Sequence, residues 1–82
     1  MDIAIDFDGS DLSGANLEGV NLSRINLEGV NLRNANLKQA NLKGASLKGA
    51  DLRGADFTGA NTKNTVLEGA LTDEYTKGIT WT

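Results

Sequence analysis

Nucleophilic catalysis needs a hydroxyl or thiol beside a base, and this chain of 82 residues offers only hydroxyls: it has serines and threonines but no cysteine and no histidine. The same absences exclude disulfides and the usual zinc sites. Three other patterns carry possible chemistry. Gly44 to Gly49 has the glycine spacing of a phosphate loop, but Ala50 stands where that loop needs lysine. Asp6-Phe7-Asp8-Gly9-Ser10-Asp11 has the carboxylate density of a calcium loop. Counted from Asp6, however, the positions that require glycine and a bidentate glutamate hold Asp11 and Leu17. A solvated acidic edge accounts for it better. Finally, Arg33, Lys38, Lys43, Lys48 and Arg53 stand five residues apart. Whether they form one basic patch depends on the element that carries them.

That element is unusual. Leucine or phenylalanine recurs every fifth residue from Phe7 to Leu67, with one exception at Thr62. On an α-helix a step of five rotates each successive leucine by about 140°, so no face collects them. On a flat strand an odd step sends them to alternate sides. A period that fits neither structure implies one short unit, repeated and stacked. Nine of the ten glycines stand two residues after the leucine or phenylalanine, so glycine belongs to the repeat and not to a linker.

Aligned on the leucine, the columns separate. Two residues before it the side chain is small or β-branched, as in Ala35, Ala40 and Val30; one before it is usually Asn or Asp. After it comes a variable polar residue and then, usually, glycine. Leucine and alanine flank one polar residue, so both point inward from a short extended piece. Glycine then turns the corner, and Asn or Asp can bond a nearby amide. This A-(N/D)-L-X-G pattern over residues 5 to 70 resembles the pentapeptide-repeat family. The resemblance implies an all-β solenoid: a right-handed, quadrilateral parallel β-helix of about three coils, with one repeat per face. Residues 1–70 would form the helix and residues 71–82 a capping tail.

Four repeats per coil put residues twenty apart above one another. Phe7, Leu27, Leu47 and Leu67 then form one core column, and Leu17, Leu37 and Phe57 another. Burying each such side chain contributes about 1.5–3 kcal/mol, against a backbone entropy of about 1–2 kcal/mol per residue. The interior is filled with side chains and leaves no pocket. Consecutive repeats occupy consecutive faces, so the five basic residues become a girdle, with Lys38 expected over Glu18 and Lys48 over Glu28. One face differs. Asn21, Ser23 and Arg24, then Asn41 and Lys43, then Asn61 and Lys63, stack with no acid among them. This face suits an acidic partner; its alternative is an Asn ladder bonded to itself and to turn backbone.

The ends are unequal. In the tail, Tyr75, Ile79 and Trp81 are expected to fold over the last coil. At the other end, Ile3, Ile5, Phe7 and Leu12 form an apolar edge expected to support an end-to-end homodimer through the N-terminal coil. The net charge of -3 calls for no polyionic partner, and no apolar run approaches the ~20 residues of a membrane span. The start lacks a secretory pattern, so the cytoplasm is expected and the Asn21-Leu22-Ser23 acceptor motif is taken as chance.

The expected function is therefore a non-enzymatic structural or protein-interaction module with an unidentified protein partner. No cofactor, metal or nucleic acid is expected. The family resemblance also brings an alternative, a DNA mimic that modulates a type II topoisomerase and confers quinolone resistance. The basic girdle and the small number of coils count against mimicry. A further alternative is peripheral association with anionic membrane, for which only the Arg24, Lys43 and Lys63 face offers anything.

Overall fold

A computed structural model describes residues 6–79. The chain winds into stacked coils of twenty residues. Asp6 bridges Asn26, which bridges Ser46, which bridges Val66, and all these bridges are parallel. Asp11, Asn31, Asp51 and Leu71 form a second such column, and Asn21, Asn41 and Asn61 another. Three coils (6–25, 26–45 and 46–65) are complete, and residues 66–79 make most of a fourth.

No extended strand forms among the described residues; coils meet through single-residue bridges. The repeat explains why. Each five-residue side spends four residues in a turn, closed where the Ala15 amide donates to the Leu12 carbonyl at 3.1 Å. The third turn residue has positive φ, 68° at Gly14, as a type II turn requires. Only the position before the leucine, usually Asn or Asp, forms a parallel bridge, while the leucine and third-turn amides also donate to the next coil. The Asn or Asp side chain also supports the turn, because its Oδ1 accepts the amide two residues on, as Asn31 does for Arg33 at 3.1 Å.

The turn does not depend on glycine alone. Arg24, Asn34, Gln39 and Asn64 occupy the same corner with φ near 60°. A side chain there costs about 1–2 kcal/mol, less for Asn, and the stacked coils hold it in place.

Leucine and alanine columns fill the interior. Leu27, Leu32, Leu37, Leu42, Leu47, Leu52 and Phe57 are fully buried with Val30 and the alanines from Ala40 to Ala55, and among the described residues no polar residue is buried with them. Phe7, Leu12 and Leu17 at one end, and Leu67, Ala70 and Ile79 at the other, are half-buried against this core.

The tail departs from the expected cap. It continues the wall: Leu71 bridges Asp51, and Lys77 bridges Asp56 after a lap of twenty-one residues. The extra residue lies in the turn after Thr72. Tyr75 points away and is 64% exposed, so it does not shield the last coil. A turn residue on a side wall has no route across the open end. Ile79 does pack on the core. Trp81, Ile3 and Ile5 lie outside the described residues. Among the described residues, no helix is long and apolar enough to cross a membrane.

Candidate functional site

The face of Leu22, Leu42 and Thr62 brings together every residue that the sequence assigned to it. Asn21, Asn41 and Asn61 stack through parallel bridges. Their side chains do not bond one another; each turns back on its own corner. Asn41 accepts the Lys43 amide at 3.1 Å and Asn61 the Lys63 amide at 3.0 Å. Asn21 accepts both the amide and the hydroxyl of Ser23, at 3.1 and 2.7 Å. Side-chain ladder bonds occur elsewhere, from Asn36 to Asn16 and from Asn26 to Asp6. The asparagines of this face therefore fix its turns, and the turns aim its cations.

Backbone bonds lock those cations in register. The Arg24 amide donates to the Lys43 carbonyl at 2.9 Å, and the Gly44 amide to the Lys63 carbonyl at 3.0 Å. The Arg24 stem runs up across Gly44, 3.5 Å from where a Cβ there would stand. Among the described residues, Arg24, Lys43 and Lys63 take part in no ion pair, whereas Arg33, Lys38 and Arg53 all do. The adjacent Phe7–Leu67 side is the opposite in sign, carrying Asp6, Asp8, Glu28 and Glu68 against Lys48 alone.

Elsewhere the charges neutralise one another, but not vertically as expected. Arg33 pairs with Asp51 at 2.6 Å and Lys38 reaches Asp56 at 3.9 Å. Glu18 accepts from Asn36, and Glu28 from Ser46, instead of from Lys38 and Lys48. All four contacts span eighteen residues. The position after each leucine lies diagonally opposite the position before the next coil's leucine, so the two side chains meet along that diagonal, as ion pairs at Arg33–Asp51 and Lys38–Asp56 and as hydrogen bonds to the carboxylates of Glu18 and Glu28.

Asp51 is the centre of the densest cluster. It accepts two guanidinium bonds from Arg53 and one from Arg33, at 2.6–2.9 Å. The Arg53 side chain foremost, against some desolvation, holds its carboxyl far below the usual range. Arg33, Asn34, Arg53 and Asp73 line an open depression beside it. Two cations and two carboxylates balance there, which makes the cluster a structural clamp. The sequence reading missed this cluster because it compared residues twenty apart, where the signal lies eighteen apart. At the N-terminal end, Phe7 and Leu12 lie in the first described coil, half-buried against the core.

Comparison with known proteins agrees with this geometry. A family model for pentapeptide repeats matches residues 21–59 and 50–71, with eight copies. The chain belongs to the pentapeptide-repeat family. Among solved structures it is similar to Rfr23, a pentapeptide repeat protein from the cyanobacterium Cyanothece 51142, with 44% identity over 87% of this chain and 55% of that one, at a TM-score of 0.64. It is also similar to a pentapeptide repeat protein of the Arabidopsis thaliana thylakoid lumen, with 36% identity, 93% and 57% coverage and a TM-score of 0.74. HetL, involved in heterocyst differentiation regulation in Nostoc, shares 35% identity over 79% of this chain and 35% of its own length, with a TM-score of 0.55. The chain thus spans little more than half of the first two. QnrB1, a plasmid-mediated fluoroquinolone resistance protein, is 19% identical and shares the fold alone. A comparison with curated proteins gave no match.

Proposed function

We propose that this chain is a non-enzymatic interaction module that docks an acidic protein partner on the Leu22–Leu42–Thr62 face. The observation carrying this reading is the row of three cations, Arg24, Lys43 and Lys63, held at successive coil heights and left outside every ion pair among the described residues. Preplaced charge on a rigid wall favours steering and register at little ordering cost. The supporting frame is a right-handed, four-sided β-helix, the architecture that the similar structures imply. A DNA mimic would need a continuous acidic rod, and the basic middle coils interrupt one.

The test is affinity capture with three proteins: the wild type, a face variant carrying Arg24→Gly, Lys43→Glu and Lys63→Glu, and a girdle control, Lys48→Glu. Glycine at position 24 preserves the positive-φ corner. A partner retained by the wild type and the control but lost by the face variant supports the reading. Identical capture by all three rejects it. A supercoiling assay separates the mimic reading, since only a mimic inhibits the topoisomerase.

A further inference from the structure

The ladder that joins the coils is directional. In each repeat of the first two coils two amides donate upward, as Leu12 does to Asn31 and Gly14 to Arg33, both at 2.8 Å. One donates back, as Asn31 does to Ser10 at 2.9 Å. The first and last edges of the described coils are therefore chemically different. Along the first coil the carbonyls of Asp6, Asp8, Asp11 and Ser13 have no donor among the described residues. Along the last coil the amides of Leu67 and Gly69 have no acceptor among them. One edge is rich in acceptors and the other in donors, and half-buried apolar columns end at both.

We propose that a second copy of this chain stacks head-to-tail on the first, continuing the twenty-residue register, and that acidic ends restrain the contact. In that register the Leu67 and Gly69 amides meet the Asp6 and Asp8 carbonyls of the added copy, and the Asp11 amide of that copy meets the Ala70 carbonyl. A two-fold pairing of first coils, the arrangement expected from the sequence, instead opposes carbonyl with carbonyl. The restraint comes from charge. The first coil holds four acids and Arg24, for a net -3, and residues 66–79 hold three acids and Lys77, for a net -2. Both middle coils are net positive. Stacking sets Asp8 above Glu68 and adds Asp11 to the region of Asp73, so like charges meet unless they are screened or removed. A head-to-tail contact does not close on itself, and growth continues past the dimer.

Asp8 and Glu68 are exposed, and their side chains accept no hydrogen bond among the described residues, so both can be changed without loss of the coil. The experiment is sedimentation velocity on the whole chain and on the Asp8→Asn/Glu68→Gln variant, at low salt and at ~1 M salt, where the Debye length falls to about 3 Å. The variant is expected to assemble at low salt to a weight-average mass about fourfold or more above the monomer. Oxidation of mixed Asp8→Cys and Glu68→Cys chains is expected to join positions 8 and 68, because stacked Cα atoms lie about 4.8 Å apart, within disulfide reach. A folded variant that stays monomeric even at high salt overturns the proposal. So does growth that stops at two copies, or cross-linking that joins position 8 to position 8.

Discussion

The Asp73 carboxylate accepts the Gly54 amide at 3.0 Å, filling a place that the backbone fills one coil below, where the Asn34 amide meets the Arg53 carbonyl. The same oxygen accepts the amides of Tyr75 and Thr76, and the Thr76 hydroxyl reaches down to the Leu52 carbonyl at 2.8 Å. A side chain thus restores the ladder where the extra residue of the last lap would break it. Desolvation works against its charge, but the hydrogen bonds from Gly54, Tyr75 and Thr76 win and hold the carboxyl below its ordinary value.

Asp73→Ala should therefore free the tail before the coils. The Gly54 and Thr76 amides are expected to exchange with solvent roughly tenfold or more faster, with core amides such as Leu37 unchanged. Equal protection of Gly54 in both proteins would show that the carboxylate is not the tie.

Leu37 is fully buried and its neighbour Lys38 is exposed. Leu37→Asp should cost about 3–5 kcal/mol or prevent folding, since it opens a cavity and buries a carboxylate without a partner. Lys38→Asp should melt within about 5 °C of the wild type. Thermal melts showing equal tolerance would reject the inward assignment of the leucine column.

Gly78 lies against the coil below, and a Cβ there would stand 2.5 Å from the Thr58 amide nitrogen and 2.7 Å from the Phe57 carbonyl carbon. Backbone cannot yield as a side chain can. Gly78→Ala should peel the tail from Phe57, whereas Gly14→Ala, with open space around it, should cost only the conformational penalty of about 1–2 kcal/mol. Comparing tail amide exchange in the two variants decides the point.

Gln39 holds a corner at φ 58° that glycine holds in most repeats. Gln39→Gly should stabilise the chain by about 0.5–1 kcal/mol, and Asn34→Gly by less, because Asn tolerates this conformation. Denaturant midpoints at constant slope measure both. The reverse ranking would mean that the Gln39 stem, which lies over Gly59, matters more than its strain.

Asp11, Asp51, Asp56 and Asp73 all have their carboxyls held below the ordinary value of 3.8, by hydrogen bonds from Ser13, Arg53, Thr58 and the Gly54 turn respectively. The unfolded chain binds protons first as pH falls, so the stabilisation is complete above about pH 5 and declines as pH drops below about 4. Asp51→Asn should flatten that decline, seen as a smaller difference in melting temperature between pH 6 and pH 3. An unchanged difference would place the acid sensitivity elsewhere.

The interior was legible because it depends on period alone. Leucine every fifth residue with four repeats per coil fixes which side chains stack, whatever the outward residues are, and Leu37 and Phe57 fall where counting puts them. The exterior was less legible because it depends on how side chains lean. Arg33 finds Asp51 along a diagonal, which no column count reveals. Ile79 packs on the core as its apolar character suggested, but Tyr75 was misread, because the turn at Asp73 keeps that part of the chain in the wall. Arg24 and Gln39 in glycine's corner were hidden for a similar reason: the coils above and below, not the local residue, impose the conformation.

The twenty-residue lap also bears on how such a chain changes in length. A whole lap inserted anywhere between coils presents every neighbour with the partner it already had, so duplication leaves no defect to be mended. A single extra residue shifts everything after it, and the Asp73 turn shows one such insertion absorbed by a side chain that mimics the backbone. Whole laps are therefore the unit that can be added without repair, and the odd residue of this chain sits beside the carboxylate that mends it.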